Sequence, residues 1–266
     1  MGYVVRLFRF FTIHQYEKID EELLTEERPD WKMAVTLVSI AVCMLLPAYF
    51  GKSSHLVKWE WAVDIYREWP HPSLYPRMYW GLFKIVNYLV VPSLVIKLVF
   101  RDRIRDYGFK LSTDKRVLGL YLLMFVVVMP LVWYVSDAPA FLGKYPKYKH
   151  AAQSYYQLGL WEATYGVQFF MLEFFFRGYA LFAMARYVGH VAIYIMVIPY
   201  CMIHLAKPLP ETLGSIITGI ALGTLALRTR SIYGGVLIHM AVAWSMDFFA
   251  MWHKGQLQKL FSSGGG

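Results

Sequence analysis

The chain has 266 residues, of which 58% are hydrophobic, 18% aromatic and only 17% charged. An average soluble domain is less apolar and about a quarter charged, so the composition excludes an ordinary water-soluble globule and points to an all-α integral membrane protein. The formal net charge of +9 speaks to anionic lipid at a membrane surface, and no stretch reads as a nucleic-acid-binding module.

Residues 1–14 hold Arg6 and Arg9 among Val, Leu, Phe and Ile, which predicts an amphipathic helix lying in the membrane interface. The stretch lacks the small-residue cleavage site of a signal peptide. "EKIDEELLTEERPDW" then reads as a solvated acidic linker. Seven apolar runs follow: Met33–Phe50, Met78–Phe100, Val117–Val135, Leu158–Ala185, Val191–Leu205, Leu213–Leu227 and Ile232–Trp252. Most reach the roughly 20 residues a helix needs to cross a bilayer. The fifth and sixth are short, but Gly189-His190, "AKPLPE" and "RTR" bound them. Backbone groups cannot stay unpaired in lipid, so a bundle of about seven helices is expected, eight if the N-terminus also spans. The tail "SSGGG" has linker composition.

Basic residues near the spans number 14 on the side that holds the N-terminus and 10 on the other. The excess predicts a cytoplasmic N-terminus, and the bacterial inner (plasma) membrane is the expected location. Cys43 and Cys201 both fall inside predicted spans, where cysteine is usually a small buried hydrophobe.

Ionisable residues inside a span are costly, and each is a functional hypothesis. The fourth span has Glu173 and Arg177 in "MLEFFFRGY", the fifth has His204 near its end, and the seventh carries His239 and Asp247. Glu173 and Arg177 are four apart, hence neighbours on one helix face. A carboxylate and an imidazole can share the deprotonation of water, and a second imidazole can stabilise the resulting oxyanion. The same residues also read as a structural ion pair and as packing histidines. Lys84 and Lys97 can snorkel and need no role.

"EFFFRGY", then "YCMIH", then "HMAVA" resemble the CPBP (CAAX protease and bacteriocin-processing, or Abi) family of intramembrane endopeptidases, related to the type II CAAX prenyl proteases. The family pattern is EExxxR on one helix, FxxxH on the next and HxxxN or HxxxB on a later one. The resemblance covers about residues 155–252. It implies that residues 158–252 form the catalytic bundle, after an N-terminal segment over 1–32 and membrane helices and loops over 33–157, with a tail from 253.

Residue by residue, Glu173 and Arg177 match the second Glu and the Arg of the first motif. His204 matches the second motif, with Tyr200 in place of Phe, and His239 matches the third. The family's first Glu corresponds to Leu172, and its final Asn to Ala243. A branch with a single Glu before FFFRG carries stretches similar to "HLAKP" and "SMD". There Glu173 would be the base, with Ser245 or Asp247 in place of the missing Asn.

The resemblance thus implies a protease acting through Glu173, His204, His239 and Arg177 on a peptide or membrane-protein substrate. It implies no cofactor, although Glu and two His are chemically able to hold zinc. A non-catalytic relative that binds another membrane protein is the alternative. A transporter is a third class, disfavoured by the lack of an internal repeat.

Overall fold

The computed structural model describes residues 13–26, 30–56, 58–112 and 114–262. Of the interfacial helix expected over residues 1–14, all but the last two residues lie outside this set, as does the end of the glycine tail. The described chain is helical throughout, apart from turns and one isolated antiparallel bridge between Phe109 and Ser231.

Six helices are long and apolar enough to cross a membrane, and a seventh apolar helix is shorter. With the helix that precedes them they are α1 (Ile13–Leu23), α2 (Trp31–Phe50), α3 (Tyr75–Phe100), α4 (Lys115–Val135), α5 (Tyr155–Val188), α6 (Val191–Met202), α7 (Leu209–Thr229) and α8 (Tyr233–His253). The seven spans read from the sequence are α2 to α8, so the protein is an integral membrane protein with an all-α bundle.

The described residues divide into two compact units. One contains the residues up to Val42, Val91–Val117 and Leu172–Gly235. The other contains Cys43–Val90, Leu118–Met171 and the residues from Val236 onward.

In the first unit, α6 and α7 pack tightly because small residues let their backbones approach. A Cβ on Gly219 would fall 2.9 Å from Val197, and one on Gly223 would fall 3.2 Å from Ile193. Lipid tails are as apolar as leucine, so helix association in a membrane rests on this kind of close contact. The phenylalanines 174–176 are fully buried. They therefore pack within the protein and do not face lipid; 89% of the most apolar window of α5 is buried, against 11% for α4.

The acidic stretch before α2 departs from the sequence reading. Its first part is helical as α1, and Ile19 and Leu23, four apart, bury their side chains. Asp20 accepts from the His190 backbone N–H at 2.6 Å and pairs with His190 Nδ1 at 2.8 Å. Gly189 beside it has φ +55°, and a Cβ there would lie 2.0 Å from the Asp20 carboxylate. A carboxylate at the start of α6 satisfies orphan N–H groups and complements the helix dipole. That is why the segment docks rather than stays in water.

In the second unit, Leu74, Tyr148, Trp161, Tyr165, Phe169 and Met251 form the main core cluster.

Candidate active site

The α5 helix changes form at the residue the sequence singles out. It is α-helical over Tyr155–Glu173, π-helical over Phe174–Ala180 and α-helical again over Leu181–Val188. The Leu181 N–H reaches the carbonyl of Phe176, five residues back. Such π segments inside α-helices are rare and concentrate at functional sites, because the extra residue re-aims the side chains around it.

Glu173 and Arg177 are both fully buried. Arg177 Nη1 donates to Glu173 Oε1 at 3.0 Å. The guanidinium carbon also lies 3.8 Å from the centre of the Tyr200 ring. A cation over an aromatic face is stabilised by the ring quadrupole, more so where water is excluded. Tyr200 on α6 thus stands under the ion pair on α5.

Tyr200 also fixes His204. The His204 ring centre is 4.7 Å from that of Tyr200, and its Nδ1 is 2.8 Å from the Tyr200 carbonyl. A carbonyl only accepts, so Nδ1 carries a proton, which in the neutral ring leaves the lone pair on Nε2. His204 lies just past the end of α6. Its own carbonyl accepts from Thr212 Oγ1 at 2.8 Å and from the Lys207 N–H at 2.9 Å, which pins the turn. Lys207 and Glu211, which border this turn, pair with each other.

Two further residues sit on this stretch of α5 or against it. Tyr179, in the π segment, shares a 2.6 Å hydrogen bond with Ser39 of α2. Gly235, in the first turn of α8, sits so close to Glu173 that a Cβ there would fall 2.5 Å from Oε2. Any larger residue at 235 would push the carboxylate. Neither Tyr200 nor Gly235 was singled out as a site residue from the sequence. The aromatic of FxxxH and the "GG" that opens α8 were the available signals.

The remaining candidates belong to the second unit. His239 is half-buried, its ring 4.6 Å from that of Phe169. Ser245 Oγ donates to the Ala241 carbonyl at 2.8 Å, a bond within its own helix. Asp247 is fully buried; Oδ1 accepts from the Lys147 N–H and Oδ2 from Trp161 Nε1, each at 3.0 Å. Leu172 and Ala243, where the resembled pattern has Glu and Asn, are both buried.

The arrangement joins Glu173, Arg177, Tyr200 and His204 in one unit as a carboxylate, a cation anchored on a ring, and an imidazole of fixed tautomer. A carboxylate and an imidazole are side chains that general acid–base chemistry uses. Comparison with curated proteins and with solved structures gives no match. Residues 156–245 match the family described as type II CAAX prenyl endopeptidase Rce1-like. That stretch includes every motif residue from Glu173 to Ala243, and over it the chain is similar to the CPBP, or CAAX protease, family of intramembrane endopeptidases.

Proposed function

We propose that this protein is an intramembrane endopeptidase that hydrolyses a peptide bond of a membrane-embedded or membrane-proximal substrate. One observation carries the reading above the others. A fully buried Glu173–Arg177 pair sits where α5 turns π-helical, and Tyr200 links it to His204 in the order of the family motif.

In this reading Glu173 and the Nε2 of His204 hold one water, and Glu173 takes its proton as the oxygen attacks the substrate carbonyl. The carbonyl becomes a tetrahedral oxyanion, to which His239 donates a hydrogen bond. Glu173 then returns the proton to the leaving nitrogen, giving a free amine and a carboxylic acid. Arg177 orients the carboxylate throughout. Asp247, with both oxygens engaged, serves as a positioning residue for the segment that holds Lys147. No cofactor enters any step. The protein would act in the plasma membrane with its N-terminus in the cytoplasm.

A direct test is a single turnover in heavy-oxygen water with a library of membrane-anchored peptides and mass-spectrometric detection of new termini. The reading expects the label in the new carboxyl group on the first turnover. Label that enters Glu173 instead would make it a nucleophile and overturn the water-activating role.

A second reading, a non-catalytic relative that binds another membrane protein, is favoured by one observation. Positions 172 and 243 hold buried apolar side chains where the family pattern has a carboxylate and an amide. Binding without new termini under the same conditions is its signature.

A further inference from the structure

The second unit contains a partly open cavity of about 620 Å³ with almost wholly apolar walls. This is the size range of small-molecule sites. It lies between the first part of α3 and residues 163–168 of α5, which run side by side: Thr164 Oγ1 is 3.5 Å from Met78 sulfur. None of the catalytic candidates lines it.

The polar groups in its walls set what it can hold. The Thr164 hydroxyl is spent on the Leu160 carbonyl at 2.7 Å, and the Tyr79 hydroxyl on the Phe50 carbonyl at 2.9 Å. Gln168 is different. It is only 6% exposed, and its buried Nε2 has no hydrogen-bond partner among the described residues. Gly81 stands opposite, with a Cβ position 3.5 Å from that nitrogen, so glycine leaves the space beside the amide open. A buried donor in an apolar cavity calls for an acceptor carried on an apolar ligand.

We propose that this cavity holds an acyl chain of a bilayer glycerolipid, with Gln168 Nε2 donating to its ester carbonyl. Three observations choose this occupant. Leu82 and Val167 line the cavity yet are exposed, on helices that cross the membrane, so its rim lies among lipid tails. Trp61 and Trp69 also line it, and tryptophan marks the interfacial level where ester carbonyls lie. A transmembrane peptide helix already engages its carbonyls with its own N–H groups, whereas a glycerolipid ester has a carbonyl with no donor of its own.

The test is competitive retention. The full chain is reconstituted in bilayers with equal amounts of ester-linked and ether-linked phosphatidylcholine of the same chain length. After transfer to mild detergent, retained lipid is counted by native mass spectrometry. Wild type is expected to keep the ester lipid over the ether lipid by about tenfold, the scale of one buried donor losing its acceptor. Gln168→Leu should bring that ratio to one, and Gly81→Leu should reduce retention of both lipids, each variant unfolding at a temperature near wild type. Equal retention of the two lipids by wild type would overturn the proposal, as would an ester preference that survives Gln168→Leu. Displacement of both lipids by an equimolar hydrophobic transmembrane peptide would also overturn it and assign the cavity to a protein segment.

Discussion

The Arg177 guanidinium lies 3.8 Å from the centre of the Tyr200 ring while its Nη1 holds Glu173 Oε1 at 3.0 Å. The three side chains form one buried unit, in which the cation is stabilised by a ring on one helix and a carboxylate on its own. Neither charge would be tolerable there alone.

That coupling has a thermodynamic consequence. Arg177→Leu leaves the Glu173 carboxylate buried without its cation and should destabilise the fold by about 3–5 kcal/mol. The double change Glu173→Leu with Arg177→Leu should cost much less than the sum of the two single changes, because no charge is stranded. Thermal unfolding of the four proteins in detergent gives the coupling energy directly. Additive effects would mean the pair is not a unit.

Tyr200 separates ring from hydroxyl. Tyr200→Phe restores the aromatic of the family motif and keeps a face under Arg177, whereas Tyr200→Ala opens a cavity and removes the cation–π contact. Alanine should destabilise by at least about 2 kcal/mol more than phenylalanine. Cleavage should persist in the Phe variant and fall in the Ala variant, measured per unit of folded protein.

Two glycines on long helices make opposite predictions. A Cβ on Gly235 would lie 2.5 Å from Glu173 Oε2, whereas one on Gly159 meets nothing within 4 Å. Gly235→Ala should lower cleavage by at least about tenfold, since small misplacement of a catalytic group is expensive. Gly159→Ala should leave activity alone and stabilise its helix by about 0.5–1 kcal/mol.

Much of this was legible in the sequence, for identifiable reasons. Span lengths and their boundary residues are local, so α2 to α8 follow from the apolar runs. The Glu173–Arg177 contact follows from a spacing of four. The π segment over Phe174–Ala180 was not legible, because the shift to five-residue bonding depends on what packs around it. The docking of α1 is likewise non-local: Asp20 meets His190 across 170 residues, and only folding brings them together. The sequence also offered Ser245 and Asp247 alike as stand-ins for the missing Asn. Only the structure shows which groups engage them: the Ala241 carbonyl for Ser245, the Trp161 indole and Lys147 N–H for Asp247.

Asp247 therefore makes a test of positioning against chemistry. Asp247→Ala strands two buried donors and should cost about 2–4 kcal/mol, with Asp247→Asn costing roughly half because one acceptor oxygen remains. Cleavage per folded molecule should stay within about threefold of wild type in Asp247→Asn. Unfolding curves and activity on the same preparations check both statements.

The most direct measurement compares wild type, Glu173→Gln and His204→Ala on a library of membrane-anchored peptides, with new termini read by mass spectrometry and counted per folded molecule, because Glu173→Gln strands the Arg177 charge and lowers stability. General-base catalysis is worth about 10²–10⁴-fold. New termini from wild type alone, with both variants reduced on that scale, are the expected result. Cleavage that survives both substitutions would contradict the assignment of Glu173 and His204 as the groups that activate water.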